Sequence, residues 1–571
     1  MQITVATLIV RFMERLGIAR AYGMPGAHIL PVYDSLYDSP IETVLVKHEQ
    51  GAAFMACGEA RATGGIAACI TTAGPGATNL VTGIANAYAD KLPLLIITGE
   101  TATSFFGKGG LQESSGEGGS FDQASLFRDI TRYHRIVERT DYLLQVLRQT
   151  TKILLQPNAG PVLLSFPYNL QKELVPASLL DQIRFVRDPL PICNRFAATA
   201  EMARMIATAR HAVIVAGHGC RLAGAESALR TLSRRRAIPV ATTLKGKGLI
   251  PENDPNALGC LGITSDGTAY RHIVDRADLL ILLGAGFNER TSHLWDGRLF
   301  EGKRVIQVDH DMAQLEKVFK ADLAIHGDLR AVLEDLLDER LDELNPRDES
   351  LITAQPITTL AAEGGTESTS APTTLYHATT PAAAPTVPPH FTVIAHFFAQ
   401  LVDTLPQGTQ VFDDNIILAQ TYLRASPLHR YFPNSGISSL GHAIPAAIGA
   451  RCAIDAPTFA IIGDGGFQMC GMELMTAVNY NIPLNVLLIN NGTLGLIRKN
   501  QFQRYQERYI DCDFVNPDFA LLAASFGIRH WRIETTGDVD RLFAEADLAG
   551  GINLIEMIWD KHVFPAYQSD R

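Results

Sequence analysis

Short apolar runs that stop abruptly at Gly, Asp or Asn constrain this chain most: IAACITTAG, LPLLIITGE, AVIVAGHG, LLILLGAG, TFAIIGDGG and LNVLLINN. Each is too short for a buried helix and lacks the alternation of a half-exposed strand. Continuous apolar strands of this length belong to parallel sheets covered on both faces. Helical patterns lie between the runs, so the chain reads as successive βαβ crossovers, an α/β protein of doubly wound parallel sheets. Ligands of such sheets gather at the carboxyl ends of the strands. The residues that stop each run are therefore the first candidates for function.

The runs fall into three blocks, residues 1–175, 190–345 and 389–571. Between the last two, residues 346–388 are dense in Pro, Thr, Ala and Gly without usable periodicity, which reads as a linker. A length of 571 residues exceeds one hydrophobic core and suits several domains. The formal net charge of −11, with no basic block, argues against a nucleic-acid partner. No apolar run is long enough to span a bilayer, so no membrane partner is expected. The opening MQITVATLIVRFMERLG reads as an amphipathic helix, not a signal peptide. The eight cysteines are scattered, with no CxxC pair, as in a reduced cytoplasmic protein.

The strongest chemical signal is in the third block. FAIIGDGGFQMCGMELMTAVNYNIPLNVLLINNGTLG places Gly463, Asp464, Gly465 and Gly466 at one strand end. Asn491 stands at the next, one helical crossover later. A βαβ unit brings both ends to one sheet edge. A carboxylate and an amide oxygen then converge there as hard ligands suited to Mg2+. The glycines allow backbone N–H groups to approach a diphosphate. In the first block, KHEQGAAFMACGEARATGG starts a helix with Glu49 just before a run of small and apolar residues. Facing the macrodipole accounts for an acid in a first turn, but not for one about to be buried.

GDG followed by NN at this spacing resembles the thiamin-diphosphate signature. The whole chain except the linker resembles the acetolactate synthase (acetohydroxyacid synthase) large-subunit family. YGMPGAHILPVYD, KHEQGAAFMACGEARATG, TTAGPGATNLVTGIANAYADKLPLLIITGE and NPDFALLAASFG match it as well. The resemblance implies a pyrimidine-binding domain, a central domain and a diphosphate-binding domain, in that order. It implies a homo-oligomer, dimer or tetramer, with active sites between the first domain of one subunit and the third of another. Asp464, Asn491 and the backbone carbonyl of Thr493 would be the metal ligands. Leu440 would prop the cofactor into a bent shape, where the family usually has Met. Backbone groups of Ser438 and Leu440 would hold the aminopyrimidine. Glu49 would be the acid bonded to its N1′, the proton relay that activates C2 of the thiazolium. Ala73–Asn79, AGPGATN, would line the same cleft.

The chain departs from the family pattern at several places. His28 stands where PGGAIL is usual and resembles the GAH of benzaldehyde lyase, in which the histidine faces the reacting carbons. The family's active-site glutamine is Gln112 or, given the Gly/Ser-rich insertion, Gln123. Tyr133-His134 replaces a Lys-His pair. Asn500 replaces the Trp that selects the acceptor. In the central domain, segments around Arg221, Arg290 and Asp309 match those that bind FAD in the family, so FAD is an optional cofactor.

The resemblance thus implies a carboligase. It would decarboxylate a 2-oxo acid such as pyruvate and join the acyl unit to a second carbonyl, forming an acyloin or 2-hydroxy-3-oxo acid. The alternatives are a C–C lyase or hydrolase of acyloins or diketones, an FAD-linked 2-oxo acid oxidase, and a non-enzymatic paralogue. The last would be expected to lack the relay acid or the metal ligands, all of which this chain keeps.

Overall fold

The computed structural model describes residues 1–187, 195–338 and 387–564. Most of the linker expected at 346–388, the end of the second block and Cys193 lie outside the described residues. The chain opens with a short strand, β1 (Gln2–Thr4), not with helix. Helix α1 (Val5–Arg15) follows, capped by the Thr4 hydroxyl, which accepts from Thr7 N at 3.1 Å. Val5, Leu8, Ile9, Phe12 and Met13 form its buried stripe.

The first sheet contains β2 (Arg20–Met24), β3 (Glu42–Leu45), β4 (Ala67–Thr71), β5 (Leu94–Glu100), β6 (Tyr133–Ile136) and β7 (Val162–Pro167), all parallel, in the order β3-β2-β4-β5-β7-β6. Strand β8 (Leu174–Pro176) returns to pair antiparallel with β1. β4 and β5 are buried along their whole length, which explains the apolar runs that lead to their polar carboxyl ends. Helix α2 (Glu49–Thr63) joins β3 to β4. His48 caps its start, with Nδ1 accepting from Gln50 N, and Gly64 at φ +70° closes it. A one-turn helix α3 (Pro75–Thr78) follows β4.

The central sheet comprises β9 (Ala212–Ala216), β10 (Val240–Thr242), β11 (Ala257–Cys260), β12 (Leu279–Leu283), β13 (Arg304–Asp309) and β14 (Leu323–His326) in the order β11-β10-β9-β12-β13-β14. This is the doubly wound dinucleotide-binding order, with its switch point between β9 and β12.

The third sheet comprises β15 (Gln410–Asp413), β16 (Arg430–Pro433), β17 (Thr458–Gly463), β18 (Leu484–Asn490), β19 (Arg529–Ile533) and β20 (Ile552–Ile558), in the order β16-β15-β17-β18-β20-β19. Its order repeats that of the first sheet strand for strand. Helix α4 (Ala443–Ala453) joins β16 to β17 as α2 joins β3 to β4. The first and third sheets belong to one compact unit and the central sheet to another. Inside the first unit, α2 and α4 pack on each other with reciprocal close approaches. A side chain on Gly58 would overlap the Ala446 carbonyl, and one on Gly449 would overlap the Met55 carbonyl. The two glycines thus stand at equivalent points of a pseudo-twofold contact.

Candidate active site

The third sheet presents an edge lined by backbone donors. β17 runs directly into helix α5 (Asp464–Cys470), and β18 stops beside it at Asn490. Asp464 is buried. Its Oδ1 accepts from Gly465 N at 2.9 Å. Its Oδ2 accepts from Asn491 N at 2.9 Å, Gly492 N at 2.6 Å and Asn516 Nδ2 at 2.7 Å. Burial raises the Asp464 carboxyl above the ordinary range, and these donors pull against that shift. Asn516 Nδ2 also reaches Asn490 Oδ1 at 2.8 Å. Asn490 in turn donates to Glu556 at 2.6 Å, and Glu556 pairs with His530 at 2.8 Å. Asn491 Oδ1 accepts from Thr493 N at 3.2 Å, so the turn that carries two of the three expected metal ligands closes on itself beside Asp464. A side chain on Gly465 would fall 2.6 Å from Leu494, and one on Gly466 would fall 2.7 Å from Asp414. At both positions a side chain would have to displace its neighbour.

The segment before α4 carries Leu440. Ser438 and Gly441 sit in the left-handed region at φ +57° and +83°. The buried Asp414, just past β15, holds the segment. It accepts from Gly441 N at 2.8 Å, His442 N at 3.1 Å and Asn434 Nδ2 at 3.3 Å. Burial pushes the Asp414 carboxyl up to about 7. Leu440 is half-buried.

The first sheet presents an edge lined by side chains. Glu49 begins α2 with only 7% of its surface exposed. Its Oε2 accepts from Asn79 Nδ2 at 2.8 Å, and a side chain on Gly76 would approach its Oε1 at 3.6 Å. AGPGATN therefore folds around this carboxylate. From the third domain, Glu473 accepts from Lys47 N at 3.1 Å and His48 N at 3.0 Å, anchoring the approach to Glu49. His28 Nδ1 lies 3.2 Å from Gln112 Oε1, which also accepts from Thr72 Oγ1 at 3.3 Å. Gln123 lies elsewhere, fully buried between Ser114 and Thr98 at 3.0 and 3.1 Å. Of the two glutamines, Gln112 is the one that meets His28. Tyr133 and His134 lie on the edge strand β6.

Three stretches match known domain families: residues 3–124 the thiamine pyrophosphate enzyme N-terminal TPP binding domain, residues 199–336 the central domain, and residues 415–557 the C-terminal TPP binding domain. The probable acetolactate synthase large subunit of Methanocaldococcus jannaschii is 33% identical over 97% of this chain and 92% of its own length. The acetolactate synthase isozyme 2 large subunit of Escherichia coli K12 is 33% identical over 94% of this chain and 92% of its own. The acetolactate synthase of Arthrospira platensis is 31% identical over 92% and 89%. The chain belongs to the acetolactate synthase large-subunit group of thiamine pyrophosphate enzymes.

For a thiamine pyrophosphate enzyme of this group, the third-domain edge is the more predictable half. Even there, sequence reasoning passed over Asn516, Asp414 and Glu473. Asn516 lies in the matching NPDF segment, and its signal is an amide placed directly before a helix-starting Pro-Asp. Asp414 belongs to an acidic doublet at a strand end, and Glu473 to GME after GDG. Helix α6 (Gly495–Arg504) carries Asn500, which is half-buried. Beside it, Lys499 is buried, which lowers its ammonium to about 8. Arg498 pairs with Asp513 at 2.7 Å.

Proposed function

We propose that this chain is a carboligase of the acetolactate synthase type. It takes a 2-oxo acid such as pyruvate, releases CO2, and joins the acyl unit to a second carbonyl as an acyloin or 2-hydroxy-3-oxo acid. The observation that carries this reading is that one chain holds both the Asn79-bonded buried Glu49 and the donor-lined Asp464–Asn491 edge. When bound, thiamin diphosphate supplies a C2 carbon that adds to carbonyls and an electron sink for decarboxylation. The chain supplies the rest. Glu49 holds a proton at N1′ of the aminopyrimidine, a task that burial suits. Asp464, Asn491 and the Thr493 carbonyl hold Mg2+. Their all-oxygen set fits that ion, whose remaining ligands come from phosphate and water. Ser438 and Leu440 hold the aminopyrimidine, and Gly463, Gly465 and Gly466 leave the backbone open to the diphosphate. His28, backed by Gln112, moves a proton at the acceptor oxygen.

The functional assembly is a homo-oligomer, dimer or tetramer, in which the Glu49 edge of one copy meets the Asp464 edge of another. Within one chain, the Glu49 and Asp464 carboxylates have separate hydrogen-bond partners. Exposed apolar side chains, Phe105 and Leu111 near the first edge and Met469 and Ile497 near the second, suit such burial. FAD is proposed as a ligand without a redox role at the carboxyl edge of the central sheet, near Arg221, Arg290 and Asp309. Gly217 and Gly219 add nothing to that assignment, since their closeness to the Gly284 backbone already requires glycine. The described cysteines are all free, which supports a cytoplasmic setting. No described helix is long and apolar enough to cross a membrane.

The test is incubation of the protein, thiamin diphosphate and Mg2+ with pyruvate and a panel of aldehydes and 2-oxo acids, with products identified by mass. Carboligation products support the reading, and their absence across the panel overturns it. A second reading, C–C cleavage of acyloins, is favoured by the His28–Gln112 contact, and the same assay run from the acyloin decides it. A visible spectrum of the purified protein decides FAD.

A further inference from the structure

Gln112 holds a left-handed backbone conformation, φ +55°, which a residue with a side chain keeps only when its surroundings impose it. Two carboxylates impose it here. Glu113 ties the loop to itself, accepting from Gly107 N at 2.5 Å, Gly110 N at 2.9 Å and Ser115 Oγ at 2.7 Å. Glu100 ties it to the sheet. This last residue of β5 is fully buried and accepts from Thr101 N at 2.8 Å, Ser114 N at 3.2 Å and the Ser114 hydroxyl. Ser114 stands two positions after Gln112, with Gln123 packed on its other side at 3.0 Å.

The neighbouring residue places the partner of Gln112. Gly99 lies against the backbone and Cβ of His28, where a side chain would overlap both. Gln171 Nε2 donates to the His28 carbonyl at 2.7 Å and keeps that backbone in place. Successive residues at the end of β5 therefore locate both halves of the His28–Gln112 contact. Gln112 Oε1 can only accept. With the Thr72 hydroxyl already donating to it, the contact with His28 is made when Nδ1 carries the ring proton. Nε2 is then the basic nitrogen.

We propose that Glu100 is a positioning residue: through Ser114 it holds Gln112 against His28 and so fixes the imidazole with its proton on Nδ1 and Nε2 as the nitrogen that exchanges a proton with substrate. The consequence for catalysis rests on the role given to His28 above. The tautomer itself does not.

The test has two arms on the full-length protein. In the first, the cofactor-free protein is labelled with 15N-histidine, and the His28 ring signals are those lost in His28→Gln. Wild type and Glu100→Gln, which keeps an acceptor for Ser114, are expected to show Nδ1 protonated. Glu100→Ala and Ser114→Ala should show the two tautomers averaged. A wild-type signal in both alanine variants overturns the proposal. In the second arm, Glu100→Ala should transfer the acyl unit to the acceptor roughly 10- to 100-fold more slowly. Its C2 hydrogen exchange and cofactor affinity should stay at the wild-type level, and Glu100→Gln should recover most of the loss. Exchange and affinity that fall in step with transfer would mean a general structural role and overturn the assignment. If Glu100→Ala does not fold, Ser114→Ala carries both arms. A tautomer effect in a protein that forms no C–C product leaves the positioning standing and removes the carboligase reading instead.

Discussion

The first and third domains share a strand order and meet through a pseudo-twofold helix contact, yet their carboxyl edges are built from different materials. The third-domain edge is largely backbone. Three peptide N–H groups and one amide converge on Asp464, and they come from neighbouring loops of one sheet. The first-domain edge is made of side chains brought from separate loops: His28, Glu49, Thr72, Asn79 and Gln112. Backbone donors suit holding a carboxylate in one orientation, because they are rigid and cannot titrate. Side chains suit proton movement, because they can. On the proposed roles, one strand order used twice divides holding from proton transfer.

The comparison can be broken, beginning with the largest effect. Glu49→Gln should bind thiamin diphosphate and Mg2+ yet slow C2 hydrogen–deuterium exchange by about 10²- to 10⁴-fold, measured by NMR after acid quench. Unchanged exchange would strip the first edge of its proton role. On the other edge, Asp464→Ala should lower affinity for Mg2+ and thiamin diphosphate together, and Asn516→Ala should follow it with a loss of roughly 10- to 100-fold, by calorimetric titration. Wild-type affinity in Asp464→Ala would remove it from the ligand set. The shared contact sharpens the symmetry. Gly58→Ala and Gly449→Ala each push a methyl into a carbonyl of the facing helix and should each cost about 1–3 kcal/mol in urea unfolding. A large cost at only one of them would mean that the two helices are not equivalent.

A further effect is a pH dependence at Asp414. Its folded carboxyl is raised to about 7, so the folded state holds this proton where the unfolded chain, near the ordinary 3.8, has lost it. The stability this group contributes is present at low pH and is lost as pH rises through about 7. Asp414→Asn cannot ionise. Its urea midpoint should therefore gain on that of wild type between about pH 5 and pH 8, and parallel curves would refute the assignment.

Legibility in the sequence followed locality. The strands were readable because a parallel strand buried on both faces is apolar along most of its length, as β4 and β5 are up to their polar carboxyl ends. Asp464 and Asn491 were readable because one crossover joins their strands. The opening three-residue strand β1 was not, because only its pairing with β8, far along the chain, makes it a strand. Gln112 and Gln123 could not be separated within a Gly/Ser-rich loop whose path depends on Glu100 and Glu113.

The sequence alone determined three α/β sheets, the family and the oxygen-rich turn at Asp464, because periodicity and short crossovers are local properties of a chain. Tertiary structure alone decided that α2 and α4 pack through paired glycines, that Glu473 and Asn79 surround the approach to Glu49 and its carboxylate, and that Gln112 faces His28. Those outcomes depend on burial and on partners distant in sequence, and no local pattern of residues encodes which distant partner arrives.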